Sequence, residues 1–147
     1  MNPNAEFADF KTAVKLAGLW TATMFLYAYA DITHFVLQTG SLEEIISGEL
    51  EGVGITPLFL FGTAVLMSIP SVMIFVSLGA NPRVARWLNI MIGGLFTLMS
   101  GSTVVMPGDT WLYYRYYNLI EAILTGLVVW VAWRWYHHKQ TTNLSKS

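Results

Sequence analysis

Four ionisable side chains stand in surroundings that leave little water to solvate them: Asp31, His34, Arg115 and Glu121. A charge near the centre of a membrane-crossing helix costs about 2.5–3.5 kcal/mol on insertion scales, so residues kept there are expected to bind something or handle protons. Tyr27, Asp31 and His34 follow one another at i+4 and i+3, and Tyr114, Asn118, Glu121 and Thr125 at i+4, i+3 and i+4. Those spacings place each set on one face of a helix. Two facing polar stripes enclose a pocket in which Glu121 and Asp31 are the candidate catalytic groups, as acid or base. Tyr27, His34, Tyr114, Arg115, Tyr117 and Asn118 are the candidate ligand-binding groups. Carboxylates beside aromatic rings suit a small amphipathic or cationic molecule.

The elements that must position these residues are long and apolar. Residues 16–37, 55–78, 84–106 and 111–136 are each long enough to cross a ~30 Å hydrocarbon core, which takes about 20 helical residues. The chain as a whole is 54% apolar and only 12% charged. Lipid offers no partner to backbone polar groups and no period-2 alternation is visible, so the spans are expected to be helices. The predicted fold is all-α: an integral-membrane four-helix up-down bundle over 16–136, between an N-terminal segment (1–15) and a polar tail (137–147). Thr56-Pro57 suits a helix start, Asn81-Pro82 and Pro107-Gly108 suit breaks, and Ser41 with Glu44 has capping-box spacing for a short helix in the first loop. Lys15, a dozen apolar residues and Ala28-Tyr29-Ala30 imitate a signal peptide, but the apolar character continues through Phe35, Val36 and Leu37, as a full span requires.

Charge sets an orientation and excludes function classes. Seven of the eight basic residues flank the first span, the second loop or the C-terminal end, which predicts cytoplasmic termini and an outward acidic first loop carrying Glu43, Glu44, Glu49 and Glu51. With 8 Lys+Arg against 9 Asp+Glu there is no basic footprint for nucleic acid. The absence of Cys excludes thiol chemistry and disulfides. No phosphate loop, nucleophile elbow or HExxH run is present. Asp31 and His34 with Glu121 fall short of a metal site, because His137 and His138 stand at the other end. Neither a metal nor another cofactor is expected.

Helical rise places Asp31 about 9 Å, Arg115 about 6 Å and Glu121 about 15 Å below the outer ends of their spans. Asp31 and Arg115 are therefore expected to pair. Glu121 lies about 120° around the helix from Arg115 and is expected to take hydrogen bonds from Tyr27 or Tyr117. The inner half of the spans reads as almost wholly apolar, so a cavity should open outward and close near the midplane. Gly93, Thr97 and Gly101 form a small-residue packing face. Pro70 frees the carbonyl of Leu66, with Ser68 or Ser71 as local partners. Trp87, Trp111, Trp130, Trp133 and Trp135 are expected as interfacial anchors.

The string Arg115-x-x-Asn118-x-x-Glu121 resembles one in the membrane-associated glutathione and eicosanoid enzymes. There it lies in the second span and is followed by proline, so glutathione binding is not carried over. A broader pattern resembles a family of bacterial four-span membrane proteins known as a domain of unknown function. It comprises Leu19-Trp20, Tyr29-Ala30-Asp31, Ser47-Gly48, Ile55-Thr56, Met67-Ser68-Ile69-Pro70, Arg86-Trp87-Leu88-Asn89-Ile90, Tyr113-Tyr114, Ile120-Glu121 and Ala132-Trp133-Arg134-Trp135. The resemblance implies a multi-pass protein of the bacterial inner (plasma) membrane and points to Asp31 and Glu121. Three function classes stand open: acid/base chemistry on a lipid-soluble substrate, a small proton-coupled carrier acting as a dimer, and a structural or accessory subunit. The partners expected are the lipid bilayer, a small amphipathic ligand and a second copy of the chain.

Overall fold

A computed structural model describes residues 3–34, 41–50, 53–105 and 112–144. It is built of helices: α1 (Pro3–Ile32), α2 (Ser41–Ser47), α3 (Pro57–Gly79), α4 (Pro82–Val105) and α5 (Leu112–Leu144). The only extended pairing among the described residues is the two-residue ladder of Glu49–Leu50 with Val53–Gly54, in which Glu49 lies opposite Gly54. Gly48, at φ 84°, turns the chain out of α2 in a conformation that a Cβ would disfavour.

Helix starts follow the local chemistry. Thr56 caps α3, its hydroxyl accepting from the Phe59 N–H at 3.1 Å, with Pro57 in the first turn. Asn81 Oδ1 likewise accepts from the Arg83 N–H at 3.1 Å ahead of α4, satisfying donors that the first turn leaves open. Three stretches are long and apolar enough to cross a membrane: Pro57–Gly79, Pro82–Val105 and Leu112–Trp135. α1 is longer but carries Glu6, Asp9, Lys11 and Lys15 along its first half. It starts ahead of the expected Leu16. α5 runs on to Leu144, where the polar composition after Gln140 predicts loss of order. Phe35, Val36, Leu37, Met106, Trp111 and the Pro107-Gly108 break lie outside the described residues, as do Glu51 and the last three residues.

Cross-helix contacts set the directions. Asp9 meets Trp135 and Tyr27 meets Glu121, so α1 and α5 run antiparallel. Thr97 meets Thr125 and Ser100 meets Glu121, so α4 and α5 do too. α1 also packs on α3, while α3 and α4 form the loosest seam. Around this core the helices expose large apolar side chains such as Phe61, Phe75, Met91, Leu98 and Ile123, the surface that a lipid environment would cover. Trp87, Trp130 and Trp133 are among the exposed set, and Arg86 and Arg134 stack on Trp87 and Trp130 at 5.4 and 4.8 Å. Trp135 departs from the anchor expectation. It is 8% exposed and donates its indole N–H to Asp9 Oδ1 at 2.7 Å, because the extension of α1 supplies a carboxylate at that level.

The end of the molecule expected to be apolar holds a buried polar knot. Trp20 donates to Asn89 Oδ1 at 2.7 Å, and Asn89 Nδ2 donates to Ser77 Oγ at 3.1 Å and to the Ala85 carbonyl at 2.8 Å. Every group in the knot is satisfied, which is the condition for burying it. Asn89→Ala strands the Trp20 N–H and is expected to cost about 1–3 kcal/mol, whereas Asn89→Leu combined with Trp20→Phe removes both partners and should cost less. Thermal unfolding in detergent reads the order. A single variant as stable as the parent would mean that the bond carries no stability.

Candidate functional site

Glu121 is a carboxylate buried to 8% exposure on the face of α5 that turns toward α1 and α4. The residues around it are brought there by helical spacing. Tyr27 stands one turn before Asp31 on α1, and Ser100 stands one turn after Phe96 on α4. The Tyr27 hydroxyl and the Ser100 hydroxyl both donate to Glu121 Oε1. Ser100 Oγ also lies 3.0 Å from the Phe96 carbonyl. With both donors on Oε1, Oε2 is the oxygen available to the space beyond.

That space is a cavity of 360 Å³, toward the end of the helices where α1 finishes and α5 begins. Its polar wall includes Tyr27, Asp31, Ser100, Tyr114, Asn118 and Glu121; Tyr117 also lines it. The apolar wall includes Leu26, Phe96 and Met99, with Leu66 and Met67 from α3. Phe96 closes the inner end. It is 2% exposed and sits edge-on to Trp20 at 5.9 Å and to Tyr27 at 6.2 Å, so it separates the cavity from the Trp20–Asn89 knot. Beyond Glu121 the next polar step is Thr125, whose hydroxyl lies 2.8 Å from the Glu121 carbonyl and 2.9 Å from the Thr97 hydroxyl. Thr97 in turn meets the Gly93 carbonyl at 2.7 Å. Past it, Val128 and Val129 pack against Gly93.

The structure gathers most of the residues expected from the sequence and redistributes two. His34 and Arg115 are outside the cavity lining. His34 faces the tyrosines that begin α5, with Nδ1 3.3 Å from the Tyr113 hydroxyl and its ring 5.9 Å from that of Tyr114. Asp31 stands one turn before it on α1. The expected Asp31–Arg115 pair is not among the contacts of the described residues; Asp31 is exposed and opens on the cavity, where water can serve it without a buried partner. Of the donors expected for Glu121, Tyr27 fills the role. Ser68 bonds the Ala64 carbonyl at 2.7 Å and Ser71 meets Met24 Sδ at 3.3 Å, so neither serves Leu66. Ser100 is the partner of Glu121 that stripe arithmetic missed; it falls in register with Phe96 and Thr103, both of which line the cavity. Among the described residues no three His, Asp or Glu side chains converge as a metal centre would need.

The arrangement can present one carboxylate oxygen, flanked by hydroxyls, to a molecule held among aromatic and aliphatic side chains. The family model of DUF6326, a family of unknown function, matches residues 6–142, and the chain belongs to that family. No curated protein and no solved structure matches it.

Proposed function

For this member of a family of unknown function, we propose a multi-pass membrane protein whose four long helices enclose an outward-facing binding pocket for a small amphipathic or cationic molecule. Glu121 is the group that meets the ligand's charged or polar head. The observation that carries this reading is a buried carboxylate held by Tyr27 and Ser100 on the wall of a 360 Å³ cavity. A volume of that order falls at the small end of the ~300–1,000 Å³ usual for ligand pockets. The mixed polar and apolar lining suits an amphiphile, and Asp31, exposed on the cavity wall, adds a second negative group. Glu121 can also serve as acid or base toward a bound lipid-soluble substrate. Benzyltrimethylammonium, an aromatic-bearing cation, is expected to bind the purified protein in mild detergent, while benzenesulfonate, of similar size and opposite charge, is not. Equal binding of both, or of neither, in equilibrium dialysis overturns the cationic reading.

Two features support the orientation. Lys11, Lys15, Arg83, Arg86 and Arg134 gather at the end where Asp9 meets Trp135, and the cavity lies toward the opposite end. By the bias of basic residues toward the cytoplasm, the cavity faces outward and both termini face in. The chain has no Cys, so single cysteines report topology without background. A cysteine at Glu44 is expected to react with an impermeant maleimide on intact cells, and one at Asn143 only after permeabilisation. The reverse pattern overturns the orientation, and reaction of both cysteines from the same side overturns the arrangement of spans between them.

A further inference from the structure

Among the described residues, the wall of the cavity is least tightly packed where α3 meets α4. No residue of α3 from Pro57 to Ile69 is buried, whereas Pro70, Met73 and Ser77 are. Most side chains of the first half are exposed, with Leu66, Met67 and Ile69 half-buried, whereas the second half packs into the core. The division falls at Pro70, which cannot donate to the carbonyl of Leu66 and is a point where a helix bends. The seam between α3 and α4 is accordingly the loosest of the four. On it lie Leu66 and Met67 from one side, and Met99 and Ser102 from the other, all lining the cavity. Met99, on this wall, is 42% exposed. The charge inside is one-sided. Among the described residues that line the cavity, Asp31 and Glu121 are acidic and none is basic.

We propose that the ligand is a single-chain amphiphile with a cationic head, which enters sideways from the membrane through the gap between the first half of α3 and the second half of α4. The head sits against Glu121 and the chain leaves along Leu66, Met67 and Met99. This rests on the pocket reading above and adds to it the ligand's chain and its route. A head in 360 Å³ is enclosed, while a chain of ten or more carbons is not, so the chain must occupy an opening. The α3–α4 gap is lined by flexible, apolar Leu and Met, which adapt to a chain of no fixed conformation. An opening to water alone would place the chain where its burial is lost. A two-tailed phospholipid is disfavoured by its bulk and phosphate, and a fatty acid by the two carboxylates.

The test uses the full chain in lipid nanodiscs. The probe is dodecyltrimethylammonium carrying a photoreactive diazirine at the chain tip, with the corresponding dodecyl sulfate as the charge control. Peptide mapping is expected to find the ammonium probe's label concentrated on residues 57–67 and 98–105. Saturating benzyltrimethylammonium is expected to reduce it to the level given by the sulfate probe. Label spread evenly over the exposed faces of α3, α4 and α5, or concentrated on α1 and α5, overturns lateral entry. So does label on α3 and α4 that benzyltrimethylammonium binds without displacing. If benzyltrimethylammonium does not bind at all, the pocket reading itself fails. Glu121→Gln serves as a second measurement, expected to lose the α3 and α4 label while the sulfate probe's background is unchanged.

Discussion

Glutamine in place of Glu121 is expected to leave the helices packed and to weaken benzyltrimethylammonium binding by roughly ten- to a hundredfold. The carbonyl oxygen of glutamine occupies the position of Oε1 and accepts from Tyr27 and Ser100 as the carboxylate does, so no buried donor is stranded. What is lost is the negative charge. Interactions with a charged group are worth about 1.5–3 kcal/mol against ~1 kcal/mol for neutral pairs, and 1.4 kcal/mol is a factor of ten in Kd. Glu121→Leu differs instructively. It removes the acceptor as well, leaving two hydroxyls facing an alkyl group, and is expected to lower the unfolding temperature in addition to abolishing binding. If the carboxylate only holds α1, α4 and α5 in register, glutamine would be tolerated in both assays and leucine in neither. Binding of the cation by the glutamine variant at parent affinity would remove Glu121 from the site.

Much of this arrangement is visible in the chain before any coordinates. The run of apolar residues marks both ends of α3 and α4 and the start of α5 to within two residues, because helix length against bilayer thickness is a constraint that few other folds satisfy; α5 itself continues eight residues past the apolar run, to Leu144. The Tyr27–Glu121 contact follows from two stripes of period 3.6 and the depth of each residue. The parts that escape depend on how helices rotate and slide against one another. Ser100 belongs to the same short stretch as Gly93 and Thr97, and only the register of α4 on α5 decides that it meets a carboxylate while Gly101 meets nothing within 4 Å. Asn89 carries no formal charge and so drops out of a search for ionisable groups, although its buried amide organises three helices. Asp31 and Arg115 look paired by depth alone, but a residue that opens on a cavity has water as an alternative partner. Trp135 looks like an anchor until α1 is seen to extend far enough to bring Asp9 beside it.

Alanine at Gly93 is expected to destabilise the protein by about 1–3 kcal/mol, the range typical of an overfilled core, and leucine by more. A Cβ built on Gly93 lies 3.1 Å from Val128 Cγ1, 3.1 Å from Val129 Cγ2 and 3.4 Å from the Thr125 carbonyl oxygen. Two of those neighbours are valine methyls, which are stiff about χ1 in a helix, and the third is backbone, so relief requires α4 and α5 to separate. Separation carries a further loss. One turn along, the Thr97 and Thr125 hydroxyls lie 2.9 Å apart, and Ser100 reaches Glu121 one turn beyond that; both depend on the same close approach. Where apolar chains face lipid, helices gain little from burial and associate through packing and short-range polar contacts, so a few tenths of an ångström here act on the whole seam. Gly94 and Gly101 supply the controls, since nothing lies within 4 Å of a Cβ at either. Alanine at those positions should be neutral or slightly stabilising, because glycine inside a helix costs about 1 kcal/mol relative to alanine. The ranking Gly93→Leu below Gly93→Ala below Gly101→Ala in unfolding temperature is therefore expected. The Gly93 variants should also weaken benzyltrimethylammonium binding, because Ser100 moves with α4 away from the carboxylate it holds. Equal stability of the Gly93 and Gly101 alanine variants would show that the α4–α5 seam is not the close contact on which the site is built.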